Sequence, residues 1–137
     1  EDSDMLKGIV LAIVAVFIAW SALDFVIHGL LLKETYEATA HLWRTMQDTN
    51  MMLMHAVTLA IAICFVLLYE RCVSEKSVSM GLKLGVLFGL AAAIMSASTY
   101  VYMPIPLTLA IDWFVATLVQ FVIAGWLVGL FVKSEAL

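Results

Sequence analysis

Charged side chains are scarce in this chain and account for only 13% of its 137 residues. A soluble domain carries about 25% charged residues, so this scarcity argues against a soluble globular enzyme and against a disordered tail. The formal net charge of −4 leaves no basic surface of the kind that nucleic-acid binding requires. The two cysteines, Cys64 and Cys72, lack a CxxC spacing, so no disulfide framework is expected. We expect Cys64 to be a buried, inert thiol and Cys72 to lie near the cytoplasmic surface, where thiols stay reduced.

Apolar residues are abundant instead, at 64% of the chain, and the mean hydropathy is +1.05. They fall in four continuous stretches, at residues 5–32, 51–69, 78–103 and 107–132. Each stretch has roughly the 20 residues that a helix needs to cross about 30 Å of hydrocarbon. The sequence therefore predicts an all-α polytopic membrane protein with a single domain over residues 1–137. Its four transmembrane helices are expected to form two hairpins that pack as a bundle.

The distribution of basic residues predicts the orientation. Five of the seven lie on the side shared by both termini and the middle loop: Lys7, Arg71, Lys76, Lys83 and Lys133. Only Lys33 and Arg44 lie on the other side. Because cytoplasmic loops are enriched in Lys and Arg, both termini are predicted to be cytoplasmic. The 33–50 loop and the 102–106 turn would then face the exterior.

The first exterior loop carries a helical pattern of its own. The segment Lys33–Arg44 contains strong helix formers and neither glycine nor proline, and it places Tyr36 and Trp43 on one face. This pattern predicts a short amphipathic helix that lies in the membrane interface. Asp48 or Thr49 is the predicted N-cap of the span that follows.

Small residues recur at every fourth position in the last two spans: Gly81, Gly85 and Gly89, then Gly125 and Gly129. Small residues allow close approach of two helix backbones in lipid, where no hydrophobic force drives helices together. Two interpretations fit this pattern. We favour packing inside the bundle, and the alternative is a face for a dimer or for a partner subunit.

Four ionisable residues lie within the apolar stretches: Asp24, His28, His55 and Asp112. Each costs about 2.5–3.5 kcal/mol at the centre of a bilayer, so each is expected to turn away from lipid. At about 1.5 Å per residue, all four fall within roughly 12 Å of the exterior ends of their helices. They are therefore predicted to converge in one polar pocket near the exterior face. Tyr100 ends the third stretch at the same level.

A polar stripe extends this pocket inward along the fourth stretch. Thr108, Asp112, Ala116 and Gln120 recur every four residues, so they share one helix face. On the first stretch, Trp20, Asp24 and His28 form the corresponding face. A polar seam is therefore predicted from the exterior as deep as Gln120.

Four interpretations of this pocket remain open. The preferred one is a cluster of interhelical hydrogen bonds that fixes the helices in register. A metal site is the second, with His28, His55, Asp24 and Asp112 as candidate ligands, although no single helix carries HxxxH or ExxH spacing. A b-type haem held by His28 and His55 is the third. The fourth is a site for a proton-coupled substrate, a quinone or a pigment.

Two segments carry a resemblance to known proteins. The pattern His28-Gly29, Tyr36 and Leu42-Trp43-Arg44 is the first, and Tyr102-Met103-Pro104-Ile105-Pro106-Leu107 followed by Trp113 is the second. Together they resemble small four-span bacterial inner-membrane proteins of uncharacterised function. The resemblance implies a bacterial inner membrane and four helices, and it carries over no activity and no catalytic residue.

No enzyme motif is present: the sequence has no nucleophile elbow, phosphate loop or HExxH. An enzyme is therefore not expected. The sequence favours a helical membrane subunit or binding module that packs in the bilayer with itself or with larger membrane partners. One alternative is an electron-transfer protein that binds haem, a metal or a pigment. Another is a small proton-coupled transporter that acts as a dimer, since four helices alone leave little room for alternating access.

Overall fold

Helices form the regular structure of residues 2–134, the part of the chain that the computed structural model describes, and no strand occurs there. Within this range the α-helices are α1 (Asp2–Val26), α2 (Lys33–Ala38), α3 (Met51–Cys72), α4 (Val78–Ala97) and α5 (Leu107–Phe131). A π-helical turn, Ile27–Leu31, continues α1, and 3₁₀ turns occur at Ala40–Leu42 and Ser98–Val101. Helices α1, α3, α4 and α5 are each long and apolar enough to cross a membrane. The predicted all-α class and its four apolar spans are confirmed.

The N-cap of α3 differs from the prediction. The side-chain carbonyl of Asn50 accepts the backbone N–H of Leu53 at 2.9 Å, so Asn50 caps the helix rather than Asp48 or Thr49. The carboxylate of Asp48 instead accepts the hydroxyl of Thr45 at 2.8 Å, within the preceding turn. Helix α3 thus follows a short loop in which the side chains of Thr45 and Asp48 are hydrogen-bonded to each other.

Helix α5 links the other spans, because it packs along both α4 and α1, and α1 in turn packs against α3. Aromatic rings fill the space where these helices meet. The ring centroids of Trp20, Phe65 and Phe121 lie 5.1 to 6.5 Å apart, within the range of favourable aromatic pairs. Phe88 of α4 completes the cluster at 5.2 Å from Phe121.

The glycines of α4 and α5 face each other inside the chain. A Cβ atom placed on Gly85 would lie 2.5 Å from the carbonyl oxygen of Phe121, and one on Gly129 would lie 2.6 Å from the Cα of Val78. Gly81 and Gly125 meet in the same way, each against the carbonyl oxygen of the other. The two small-residue stripes therefore bring the backbones of α4 and α5 together, because no side chain separates them.

A tyrosine organises the turn between α3 and α4. Tyr69 is fully buried, and its hydroxyl donates to the carbonyl of Ser77 at 2.9 Å and accepts the N–H of Ser77 at 2.8 Å. The side chain of Ser77 in turn caps α4 by accepting the N–H of Met80 at 3.1 Å. The hydroxyl thus gives the N–H of Ser77 a partner that no helix supplies, and it adds a second donor to the Ser77 carbonyl, which also accepts the N–H of Gly81 at 2.9 Å.

The loop between the first two spans contains a shorter helix than predicted. Helix α2 ends at Ala38, since the hydroxyl of Thr39 donates to the carbonyl of Thr35 at 2.7 Å and the chain then tightens into a 3₁₀ turn. The segment nevertheless folds back over the end of α5. Leu32, Ile105 and Leu109 are buried there, with aromatic and apolar residues of the loop packed around them.

Candidate functional site

Six side chains at one end of α1 and α5 form a connected set, called here the polar network: Trp20, Asp24, His28, Tyr36, Trp113 and Gln120. They come from α1 and its π turn, from α2 and from α5.

The π turn positions His28. The N–H of Leu32 bonds to the carbonyl of Ile27 at 2.8 Å, five residues earlier, so the backbone widens by one residue per turn at this point. His28 remains on the same side of the helix as Asp24, with its Nε2 atom 4.0 Å from Oδ1 of Asp24. Single π turns inside α-helices are frequent at functional sites.

Asp24 is held by an amide from α5. The Nε2 of Gln120 donates to Oδ1 of Asp24 at 2.6 Å, and the indole N–H of Trp20 donates to the backbone carbonyl of Gln120 at 2.7 Å. Two hydrogen bonds therefore join α1 to α5 at one level. A half-buried carboxylate in an apolar span is stabilised by such a donor, because unsatisfied polar groups are costly in hydrocarbon.

The tyrosine hydroxyl connects the other half of the network. The indole N–H of Trp113 donates to the hydroxyl of Tyr36 at 2.8 Å, and that hydroxyl lies 2.6 Å from Nδ1 of His28. The direction of the bond between Tyr36 and His28 follows the tautomer of the histidine. With the His28 proton on Nε2, the phenol donates to Nδ1, and with the proton on Nδ1, the histidine donates to the phenol oxygen.

Aromatic packing fixes these polar atoms in place. Trp43 lies edge-on to both Tyr36 and Trp113, with ring centroids 5.7 and 5.9 Å away. Its own N–H donates to the hydroxyl of Thr39 at 2.9 Å. The loop that contains α2 thus covers this end of α5 through three interlocked aromatic rings.

A cleft of about 200 Å³ opens beside the network. It is lined by His28, Tyr36, Ser96, Trp113, Ala116 and Thr117, which come from the π turn, α2, α4 and α5. Polar and aromatic groups therefore converge on a small concave space, the usual form of a small-molecule site.

The surroundings of Tyr36 shift the pKa of its phenol. Burial raises the pKa of its phenol, the hydrogen bond from Trp113 lowers it, and the negative charges of Asp112 and Asp24 raise it further. The pKa of Tyr36 lies above its ordinary value of 10.0 as a result. The phenol therefore stays protonated at neutral pH.

The structure brings together only part of the predicted pocket. Asp24, His28 and Gln120 belong to the polar network, whereas the side chains of His55, Asp112 and Tyr100 are exposed. Asp112 lies close enough to act on Tyr36 but outside the set of hydrogen bonds.

The position of His55 follows from the way α3 packs. The buried residues of α3, from Ala62 to Tyr69, all lie in its second half, and residues 51–57 are all exposed. The first half of α3 therefore stands away from α1 and α5. His55 lies near the start of α3, but its side chain is exposed and does not reach the network.

Tyr36 and Trp113 are the members that the sequence reasoning did not assign to the site. Tyr36 was interpreted as an aromatic residue of a helix in the membrane interface. The signal that points to them is chemical, because a buried Tyr or Trp usually finds a partner for its polar atom.

Of the candidate metal and haem ligands, Asp24 and His28 lie 4.0 Å apart, whereas the side chains of His55 and Asp112 are exposed. In residues 2–134, no group of three or more His, Cys, Asp or Glu side chains could hold a metal ion. Of the two proposed haem ligands, His28 is hydrogen-bonded through Nδ1 and His55 lies on the exposed half of α3. The prediction for Cys64 is wrong, because its side chain is exposed on the outer surface of α3.

Comparisons of the chain with protein-family models, with curated proteins and with solved structures found no match.

Proposed function

We propose that the protein is a helical binding module of a bacterial inner membrane, with both termini in the cytoplasm and a small-ligand site near the exterior face. The observation that carries this proposal is the 200 Å³ cleft that His28, Tyr36 and Trp113 line together.

The surface of the spans supports the membrane setting. Large apolar side chains are exposed along every long helix, among them Ile18 at 61%, Leu87 at 72% and Val115 at 54%. Such a surface is stable only where lipid or another protein covers it. The excess of Lys and Arg near the termini and the middle loop supports a cytoplasmic position for that side. In this orientation α2 lies at the exterior interface, with its aromatic residues at head-group level.

The position of the Nε2 atom of His28 favours a ligand-binding role over a role limited to fixing the helices in register. The carboxylate of Asp24 is already satisfied by Gln120 at 2.6 Å, so the α1–α5 register does not need His28. The Nε2 atom of His28 lies 4.0 Å from that carboxylate, which is too far for a hydrogen bond. His28 lines the cleft, and its Nε2 atom is therefore available to a ligand.

In this proposal the module also packs with a second copy or with a larger membrane subunit. The glycines of α4 and α5 already form the contact between these two helices within one chain, because their backbones lie against each other. Such association therefore takes place on other helix faces. Its test is the particle mass in detergent, which should exceed that of one chain and should not depend on Gly85.

Native mass spectrometry of the protein extracted from its own membrane tests the ligand site. We expect an additional bound mass that is retained through purification. The variant Ser96→Leu places a larger side chain in the cleft and should abolish this mass. The matched control is Ser79→Leu, the same change on an exposed position of the same helix, which should retain it. Equal retention in both variants, or no bound mass in the unmodified protein, would contradict the proposal.

A further inference from the structure

The charged groups nearest the cleft are acidic. Oδ1 of Asp24 lies 4.0 Å from Nε2 of His28, and the negative charge of Asp112 acts on Tyr36, whose hydroxyl lies 2.6 Å from the same histidine. The cleft lining contains neither Lys nor Arg, and the basic residue of α2, Lys33, lies 3.9 Å from Glu37 on an exposed surface. A ligand that enters the cleft therefore meets a negative field.

The walls of the cleft are aromatic as well as polar. The rings of Tyr36 and Trp113 are locked by the hydrogen bond of 2.8 Å between them, and Trp43 supports Trp113 from behind at 5.9 Å. The faces of Tyr and Trp rings attract cations within about 6 Å, and aromatic cages of this kind recognise quaternary ammonium groups. Rigid rings lose little conformational entropy when a ligand binds.

The volume of the cleft limits the ligand to a small group. Drug-sized ligands occupy pockets of about 300–1,000 Å³. The cleft measures about 200 Å³, the space of six or seven water molecules at about 30 Å³ each. A trimethylammonium group fits such a space, whereas a haem or a chlorophyll ring does not.

On the basis of the ligand-binding function proposed above, we propose that this cleft binds a small organic cation of the quaternary ammonium class. Asp24 balances the ligand charge, and Tyr36 and Trp113 form the aromatic walls. An anionic ligand would be repelled by the two carboxylates. The hydroxyls of Ser96 and Thr117 offer partners to a polar substituent such as the hydroxyl of choline.

Calorimetric titration of the full chain in detergent tests this assignment. The probes are tetramethylammonium, choline and the neutral isostere of choline in which a carbon atom replaces the nitrogen. We expect both cations to bind, and the isostere to bind at least about tenfold more weakly, because it lacks the charge that the rings and the carboxylate attract.

Two variants with matched controls locate the binding. Asp24→Asn preserves an acceptor for Gln120 and should weaken cation binding about tenfold or more, whereas Asp4→Asn at the other end of α1 should not. Trp113→Leu should weaken it to a similar extent, whereas Trp126→Leu on an exposed position of α5 should not. The melting temperature of each variant shows whether it is folded. The comparison of choline with its isostere uses the unmodified protein, so it does not depend on the folding of any variant.

The outcomes separate this inference from the function on which it rests. Binding of the isostere as tight as that of choline would overturn the cation assignment and leave a ligand site in place. If none of the three probes binds but the protein carries a bound mass that Ser96→Leu abolishes, the cation assignment is overturned and the ligand site remains. Failure of all probes without any bound mass would overturn both.

The cation could be a free molecule or the head group of a choline phospholipid. Repeating the titration in nanodiscs distinguishes these sources. In discs of phosphatidylglycerol, free choline should bind as it does in detergent. In discs of phosphatidylcholine, weaker apparent binding of free choline would identify the lipid head group as a competing occupant, and unchanged binding would identify the free cation.

Discussion

Replacement of Gly85 by alanine tests the close contact of α4 and α5. A Cβ atom at this position would lie 2.5 Å from the carbonyl oxygen of Phe121 and 3.1 Å from the Cα of Gly125. Both neighbours belong to the backbone, so no side-chain rotation relieves the overlap. Since ordinary contact begins at 3.4 Å, the two helices must separate locally by the difference between 3.4 and 2.5 Å, about 0.9 Å.

The expected magnitude follows from this displacement. Overpacking costs about 1–3 kcal/mol, and a gap of roughly 0.5–1 Å removes about a quarter to a half of the dispersion attraction of the atoms that line it. Alanine recovers roughly 1 kcal/mol over glycine in helix propensity. We therefore expect a net loss of about 1–2 kcal/mol, which lowers the melting temperature by roughly 4–8 °C for a chain of this length.

Thermal unfolding in detergent, followed by tryptophan fluorescence, measures this effect. Gly29→Ala is the matched control, because a Cβ there would touch only the ring of Phe25 at an ordinary 3.5 Å. The control should melt at or slightly above the temperature of the unmodified protein, and Gly85→Leu should melt below Gly85→Ala. A Gly85→Ala variant that melts as high as the control would refute the close-contact interpretation.

Other consequences can be measured in the same preparations. Tyr69→Phe leaves the N–H and carbonyl of Ser77 without their shared partner and should destabilise the protein by about 1–3 kcal/mol in thermal unfolding. Ser21→Ala removes a buried hydroxyl that has no hydrogen-bond partner in residues 2–134, so its melting temperature should be unchanged or higher. Because the pKa of Tyr36 is raised by burial above 10.0, the unfolded chain loses this proton first as pH rises. Stability should therefore fall above about pH 10, and less steeply in Tyr36→Phe. A reporter that is active only in the cytoplasm, fused after Leu137, should be active, whereas activity of a periplasmic reporter there would reverse the orientation.

The four spans could be predicted because hydropathy is a local property. A run of about 20 apolar residues crosses a bilayer whatever its neighbours are, so composition alone identifies it. The pairing of Asp24 with His28 is equally local, since residues four apart share a helix face. The cost of a carboxylate in lipid also pointed to the contact between Asp24 and Gln120, whereas Thr108 and Asp112 of the predicted seam are exposed.

The remaining features depend on how helices pack, which hydropathy does not describe. His55 lies near the start of α3, but the first half of α3 stands apart from its neighbours, so a position near the helix end does not bring the side chain to the network. Cys64 was expected to be buried, yet it lies on the exposed side of α3. The π turn that positions His28 is a change in backbone register, for which the sequence carries no periodic signal.

The bond between Asp24 and Gln120 also bears on the order in which the protein is made. Its two residues are 96 positions apart in the chain, on the first and the last span. Synthesis proceeds from the N-terminus, so α1 enters the membrane before α5 exists. Until then the Asp24 carboxylate lacks its amide donor, and this destabilises α1 in lipid by less than the roughly 2.5–3.5 kcal/mol that a carboxylate costs at a helix centre, because Asp24 lies nearer the end of the span. The first span is therefore less stable in the incomplete chain than in the complete one, where Gln120 supplies the donor.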